Sequence, residues 1–175
     1  PIVLSSLKFA NIQACMRVTS SDCNVIFGTI TYDTSGANRD SFSVILDEIR
    51  LDLTETSTNC YCSPDEFQNS WINFEWENKV TITTLLTDFS ELVDVVHTKT
   101  HMVQIVPNSE LKDSCRYMVV NMYIKNRFGD EALANLSMEK QIESGKIIGQ
   151  VRIRAKTQTM ALSMGNKFSE CFKKD

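Results

Sequence analysis

The segment from Ser63 to Ile82 constrains the fold more than any other part of this chain, because it joins a helix start directly to a strand. Ser63 is followed by Pro64 and, three residues on, by Glu66, which is a capping box with proline at the first helical position. From Phe74 onwards, apolar residues alternate with polar ones, which is typical of a half-buried strand. The sequence therefore predicts a short helix that runs straight into an amphipathic strand.

Aromatic side chains lie on both parts of this segment. Phe67, Trp71 and Phe74 recur at the i, i+4, i+7 spacing of one helical face. Such a stripe either anchors a helix on a sheet or presents an aromatic surface, and the spacing does not choose between these roles. Trp76 falls on the apolar face of the strand with Val80, so we assign Trp76 to the core.

Several segments occur in an order that carries a family resemblance. They are Phe9-Ala-Asn-Ile12, Phe27-Gly-x-Ile30 with Tyr32-Asp-x-Ser-Gly36, Phe67-x-x-x-Trp71 with Phe74-Glu-Trp-Glu-Asn-Lys-Val80, Phe128-Gly-Asp-Glu-Ala-Leu-Ala-Asn135, and Arg152-Ile-Arg-Ala-Lys156 with Met160-Ala-Leu-Ser163. Together they resemble the C-terminal appendage of the β subunit of coatomer, the coat of COPI vesicles. Residues 59–62 and 97–112 match the pattern poorly, so the chain is similar to a divergent member.

The resemblance implies a function and a site. In coatomer and adaptor appendages, an aromatic pocket around a tryptophan of this helix binds short peptide motifs. The resemblance therefore implies a peptide- or partner-binding site at Trp71 and Phe67, and it favours exposure of Trp71. It implies a non-enzymatic interaction module that binds other coatomer subunits or accessory proteins in transport between Golgi and endoplasmic reticulum. The expected location is the cytoplasm, on Golgi membranes and COPI-coated vesicles, where the rest of the coat holds the module without membrane insertion.

The order of predicted elements indicates an α+β fold, with helices on one face of an antiparallel sheet. Apolar alternation changes parity after Leu46, and we place a domain boundary there. With the resemblance, residues 1–46 are expected to be the C-terminal part of an immunoglobulin-like sandwich subdomain and residues 47–175 the appendage platform subdomain. Three strands do not close a sandwich, and the chain begins at Pro1, so we expect an N-terminally truncated fragment.

Periodicity predicts the remaining elements. Asp88 with Glu91 opens a second helix that ends near Lys99. Strands are predicted over residues 102–106, closed by Pro107, over residues 117–125 and over residues 147–156. Residues 130–134 read as a helical turn or an edge strand. Residues 146–165 read as a hairpin, because residues 160–164 alternate.

Composition and motifs exclude several functions. A net charge of −4 gives no drive towards nucleic acid or an anionic membrane, and we predict no nucleic-acid partner. The sequence carries no G-x-S-x-G, P-loop, G-x-G-x-x-G or H-E-x-x-H motif, so we predict that the chain is not an enzyme and uses no cofactor. A small cytosolic hydrolase or transferase using His97 or a cysteine, and a nucleic-acid-binding sheet, stay open as alternatives.

Cysteines and basic residues supply the other candidates. Cys60-x-Cys62 with His97 and His101 falls short of the four converging ligands of a structural zinc site, so we predict free thiols and no metal. A basic stripe on the last strand is a candidate contact face for phosphate or an acidic peptide, although solubility is the more common reason for such a stripe in an acidic protein. Its members are Arg152, Arg154 and Lys156.

Overall fold

The structure, a computed structural model, describes residues 2–5, 7–19, 25–35, 40–58, 60–106 and 115–173. In chain order its elements are β1 (Val25–Ile26), β2 (Thr29–Asp33), β3 (Ser41–Ile45), β4 (Ile49–Arg50), a 3₁₀ turn (Leu53–Thr56), α1 (Pro64–Asn73), β5 (Trp76–Thr83), α2 (Phe89–Thr100), β6 (Val103–Gln104), β7 (Tyr117–Lys125), β8 (Glu131–Lys140), β9 (Ile147–Ala155) and α3 (Gln158–Cys171). No helix among these residues combines the length and apolar character needed to cross a membrane.

The centre of the molecule is a five-stranded antiparallel sheet in the order β5-β9-β8-β7-β6. One face of this sheet is buried under α2 and α3. Alternate residues of the strands point to this core, and the buried side chains include Met118, Val120, Met122 and Ile124 of β7 with Ile147, Val151 and Ile153 of β9. The predicted α+β class is confirmed.

The opposite face of the sheet carries α1. Tyr123 of β7 and Leu133 of β8 point to this side, where they are buried with Phe67 and Cys62. The helices predicted for one face of the sheet therefore lie on both faces, with α2 and α3 on one and α1 on the other. Because α1 is only ten residues long, it covers one end of this face and leaves the remainder open.

The predicted helix starts are confirmed. At α1 the Glu66 backbone N–H donates to Ser63 Oγ at 3.3 Å, and the Ser63 N–H donates to Glu66 Oε2 at 2.8 Å, which completes the capping box. At α2 the Glu91 N–H donates to Asp88 Oδ1 at 2.9 Å. The stripe of α2 is fully buried and consists of Phe89, Leu92, Val93 and Val96.

Two element predictions are wrong. Residues 131–140 form a ten-residue strand in the middle of the sheet rather than a helical turn or an edge strand. Residues 158–171 form α3 rather than the second arm of a hairpin. Met160, Met164 and Phe168 are buried at helical spacing, while Leu162 between them is 55% exposed. Over the five residues 160–164 an alternating pattern also fits a helix, so periodicity over that length could not separate the two.

The core assignment of Trp76 is also wrong. Trp76 begins β5, which is an edge strand with β9 as its single neighbour in the sheet, and 42% of the residue is exposed. Ile82, six residues further along the same face, is fully buried. The alternation of apolar residues therefore predicted the correct face of β5 for Trp76. Its exposure follows from its position at the corner of the sheet.

The first fifty residues form small, exposed sheets among the residues described. β2 pairs with β3, β1 pairs with β4, and every residue of β2 and β3 is exposed. The stacked rings of Tyr32 and Phe42, with centroids 5.4 Å apart, join the β2–β3 pair. The division near residue 46 stays a prediction. Gly36, Pro107 and Cys23 lie outside the described residues, and β6 spans only two residues of the strand predicted there.

Candidate functional site

Side chains on the α1 face of the sheet form rows that cross four strands. The antiparallel register places Tyr123, Leu133, Arg154 and Glu77 side by side in one row. The next row consists of Asn121, Asn135, Arg152 and Lys79. Phe67 of α1 is buried against Tyr123 and Leu133 in the first row. The second row borders the open part of the face.

A groove of about 430 Å³ lies where α1 meets this open part. Its lining side chains come from α1 and from three strands, and they are Phe67, Gln68, Trp71, Ile72, Asn121, Asn135 and Arg152. One wall is apolar and aromatic, and the floor is polar. The groove is large enough for one or two side chains of a ligand.

The aromatic wall is held in place by packing. The rings of Phe67 and Trp71 stack with centroids 5.5 Å apart and an angle of 20° between their planes. Phe67 is only 7% exposed and forms the base of the stack, whereas Trp71 is half-buried and reaches the groove. Ile72 beside it is 77% exposed. The helix thus presents an apolar surface whose supporting ring is already fixed.

Arginine side chains attach the wall to the sheet. The Cζ atoms of Arg152 and Arg154 each lie 5.8 Å from the centroid of the Trp71 ring, within the range of cation–π contacts. Arg154 Nη1 also donates to the carbonyl oxygens of Trp71 and Phe74, both at 3.2 Å. These carbonyls belong to the C-terminal end of α1, where a cation stabilises the helix dipole. Arg154 therefore fixes the end of the helix that carries Trp71.

Glu77 is the acidic partner of these cations. Its carboxylate lies 3.1 Å from Lys79, 3.0 Å from Arg154 and 3.4 Å from Arg152. The hydrogen bond from Lys79 has the largest effect and lowers the pKa of Glu77, burial acts to raise it, and the charges of Arg152 and Lys79 lower it further, so the pKa lies below its usual value. Glu77 therefore stays ionised at neutral pH, with three cations around one carboxylate.

The structure joins residues that the sequence presented as two separate candidates. Trp71 contacts Arg152 and Arg154, which lie 81 and 83 positions later in the chain. Arg152 lines the groove together with Phe67 and Trp71. Lys156, the third member of the basic stripe, is exposed beyond the end of β9 and does not line the groove.

The polar floor of the groove is not predicted by any local sequence pattern. Alternation in the strand predicted over residues 117–125 gives Asn121 no role, and Asn135 lies just after residues 130–134, where the sequence predicts only a helical turn or an edge strand. An asparagine in a sheet is unusual enough to be a useful indication, because strands are depleted in this residue. The pairing register, which places Asn121 opposite Asn135, was needed to show that the two form one feature.

The cysteine and histidine candidates lie elsewhere. His97 Nδ1 is 2.6 Å from the carbonyl oxygen of Met102, within the turn that ends α2. The five cysteines in the described ranges are free, and burial raises the pKa of Cys62 to about 11, which disfavours the reactive thiolate. Within those ranges no three His, Cys, Asp or Glu side chains are grouped so that they could hold a metal ion.

Comparison with known proteins gives consistent matches. Residues 40–168 match the family described as the coatomer beta subunit appendage platform, and this span includes every residue of the groove. Coatomer subunit beta of Rattus norvegicus is 40% identical over 177 residues, covering 99% of this chain and 19% of the relative. Coatomer subunit beta of Drosophila melanogaster is 41% identical over 171 residues, covering 97% of this chain and 17% of the relative. The chain thus spans about a fifth of the length of the relatives it matches.

Proposed function

The chain belongs to the coatomer β-subunit appendage platform family, and from this membership we propose that it is a non-enzymatic protein-interaction module of the COPI coat. The family is a coat-protein platform and not an enzyme family, which removes the hydrolase and transferase alternative. The module acts in vesicle-mediated transport between Golgi and endoplasmic reticulum. It works in the cytoplasm, at the surface of Golgi membranes and COPI-coated vesicles, without inserting into the membrane.

The observation that supports a docking function is the prearranged aromatic wall of the groove. Trp71 is stacked on a buried Phe67, and its helix is fixed by the capping box at one end and by Arg154 at the other. A rigid, half-buried tryptophan binds a partner at a low cost in conformational entropy and contributes a large contact area. The partners are other coatomer subunits or accessory proteins that present a short segment to this groove.

A groove of this size implies weak single contacts. We expect a short motif to bind with a dissociation constant on the order of micromolar, which corresponds to about 8 kcal/mol. Many copies of the module in one coat would raise the overall avidity without a larger interface. The basic stripe, including the exposed Lys156, would add a secondary contact face.

Partner capture from cytosol tests this proposal. The chain is immobilised in three forms, unsubstituted, Trp71→Ala and Trp76→Ala, and bound coat and accessory proteins are quantified. Trp71→Ala is expected to remove most of the captured partner while its melting temperature stays nearly unchanged. Trp76→Ala is the matched control, since it removes the other tryptophan, which lies outside the groove.

Three results would contradict the docking function. Undiminished capture by Trp71→Ala would show that the groove does not bind the partner. Loss of the cooperative melting transition in Trp71→Ala would show that Trp71 serves the core of the fold. Equal losses in the Trp71 and Trp76 variants would likewise count against a site at the groove.

A further inference from the structure

We propose that the free edge of the central sheet pairs with the same edge of a second copy of this chain, which joins the two five-stranded sheets into one. The edge belongs to β5, whose single neighbour in the sheet is β9. In this pairing Glu77 of each copy lies opposite Lys79 of the other copy. The proposal does not depend on the docking function, because no residue of β5 lines the groove.

The hydrogen-bonding pattern shows which backbone groups β5 leaves open. The Ile147 N–H donates to the carbonyl oxygen of Leu86 at 3.1 Å, so the backbone of Ile147 is directed to the side of β9 on which β5 lies. In an antiparallel ladder this direction alternates from one residue to the next. The register then directs the backbone groups of residues 76, 78, 80 and 82 to β9 and those of Glu77, Lys79 and Thr81 outwards.

Most of the outward backbone groups have no partner. Among the described residues, the backbone N–H and C=O groups of Glu77 and Thr81 take part in no further hydrogen bond. The Lys79 N–H donates to the side-chain oxygen of Asn78 at 2.8 Å. Open N–H and C=O groups along an edge strand are a template for another strand. Pairing requires the Lys79 N–H to exchange Asn78 for a carbonyl oxygen of the second copy, so the expected association is weak.

Side-chain charges select the register of this pairing. Outward-directed residues must lie opposite one another, which leaves registers centred on Lys79, on Asn78 or on Val80. The first places the two Lys79 ammonium groups together, which is unfavourable, and the last places Lys79 opposite Thr81. The register centred on Asn78 places Glu77 of each copy directly opposite Lys79 of the other, on one face of the joined sheet. The edge is therefore complementary in charge to a second copy of itself.

The same register covers exposed apolar surface. Trp76, of which 42% is exposed, lies opposite Val80 of the second copy, on the face that carries α2 and α3. Val80 is partly buried against the main core. The tryptophan of each copy therefore extends the core of the other copy. The two-fold axis stands perpendicular to the joined sheet, so the two grooves open on the same side of the dimer.

Sedimentation equilibrium at chain concentrations from about 10 μM to about 1 mM tests the pairing. The weight-average mass is expected to rise from monomer towards dimer over this range. Lys79→Glu places carboxylates opposite each other and should weaken dimerisation about tenfold or more. Arg127→Glu is the matched control, since it makes the same change of charge at an exposed arginine in the turn between β7 and β8. Arg127→Glu should leave dimerisation unchanged.

An exchange of charges tests the register. Lys79→Glu leaves two negative charges at positions 77 and 79, and Glu77→Lys leaves two positive charges there. Each variant alone is expected to stay largely monomeric, whereas an equimolar mixture should form a heterodimer, because every facing pair then has opposite signs. Thermal melting shows whether each variant is folded. Glu77 also pairs with Arg154, so if Glu77→Lys does not fold, the comparison of Lys79→Glu with Arg127→Glu decides by itself.

Three outcomes would overturn the inference. The first is a monomer at every concentration of the unsubstituted chain. The second is a dimer that Lys79→Glu leaves unchanged, which would assign the association to another surface, such as the exposed β2–β3 pair. The third is a mixture of the two folded charge variants that stays monomeric.

Discussion

At the scale of single residues, the two tryptophans show how little residue type alone says about burial. Trp71 and Trp76 are five positions apart and both belong to the segment with the strongest sequence pattern. Trp71 is half-buried, with a stacked phenylalanine and two arginines in contact with its ring, while Trp76 is 42% exposed at the start of an edge strand. The periodicity of residues 63–82 places both tryptophans at apolar positions. Contacts with residues distant in the chain determine how far each one is buried.

This contrast predicts unequal costs of truncation along one strand face. Trp76→Ala is expected to lower the free energy of unfolding by less than about 2 kcal/mol, because much of the side chain already contacts water. Ile82→Ala, at a fully buried position of the same face, should cost about 2–5 kcal/mol and leave a cavity. Urea denaturation of the two variants measures both values. A larger loss for Trp76→Ala than for Ile82→Ala would place Trp76 in the core after all.

At the scale of elements, the contact between α3 and β5 depends on a glycine. Gly165 lies on α3 where Asn78 of β5 approaches, and Asn78 Nδ2 donates to the carbonyl oxygen of Ala161 at 3.2 Å. A Cβ added at Gly165 would lie 2.1 Å from Asn78 Nδ2 and 2.9 Å from Asn78 Cγ. Glycine is unfavourable inside a helix, so its presence here is explained by the space that Asn78 occupies.

A double-mutant cycle tests this explanation. Gly165→Ala alone is expected to destabilise the protein by about 1–2 kcal/mol, because the Asn78 side chain must leave its hydrogen bond. In an Asn78→Ala background the same substitution should instead stabilise by up to about 1 kcal/mol, since alanine is the better helix former. Urea denaturation of the four proteins gives the coupling. Additive effects would show that Gly165 and Asn78 do not interact as the structure indicates.

At the scale of the whole molecule, an ion pair ties the 3₁₀ turn that precedes α1 to the C-terminal helix. The Lys167 ammonium of α3 contacts the Asp52 carboxylate, which also accepts hydrogen bonds from Thr54 N at 2.9 Å and Thr54 Oγ1 at 2.7 Å. Burial acts to raise the pKa of Asp52, but the hydrogen bonds from Lys167 and Thr54 outweigh it, so this pKa lies below 3.8. The same contact raises the pKa of Lys167.

The lowered pKa of Asp52 predicts a pH dependence. A depressed carboxyl pKa contributes stability above the pKa of the unfolded chain, about 3.9, and this contribution is lost as pH falls through the folded value. Asp52→Asn keeps a side-chain oxygen that can cap the 3₁₀ turn but removes the charge. It should lower the free energy of unfolding by about 0.5–1 kcal/mol at pH 7, and the difference from the unsubstituted protein should shrink below about pH 4.

Urea midpoints between pH 3 and pH 7 measure this effect. Lys167→Gln should cost a similar amount at pH 7, and the combination of Lys167→Gln with Asp52→Asn should cost little more than either alone. A loss that is the same at pH 3 and pH 7 would show that Asp52 contributes through its hydrogen bonds and not through its charge.

Most of the local structure and the family follow from patterns within short segments of the chain. The capping box at Ser63 and the N-cap at Asp88 fixed two helix starts, and strict alternation fixed the faces of β7 and β9, because these patterns act within one turn or one strand. Local patterns failed at α3, where five residues fit both periods, and at β8, where a short apolar stretch gave no clear period.

The burial of Trp76 and the composition of the groove depend instead on long-range packing. Trp71, Asn121, Asn135 and Arg152 come from four elements, and each looks ordinary within its own element. Their meeting depends on strand order and pairing register, which are set by contacts between residues distant in sequence. The periodicity of a strand tells which face a side chain occupies, whereas only the packed sheet tells which helix lies over that face and where it ends.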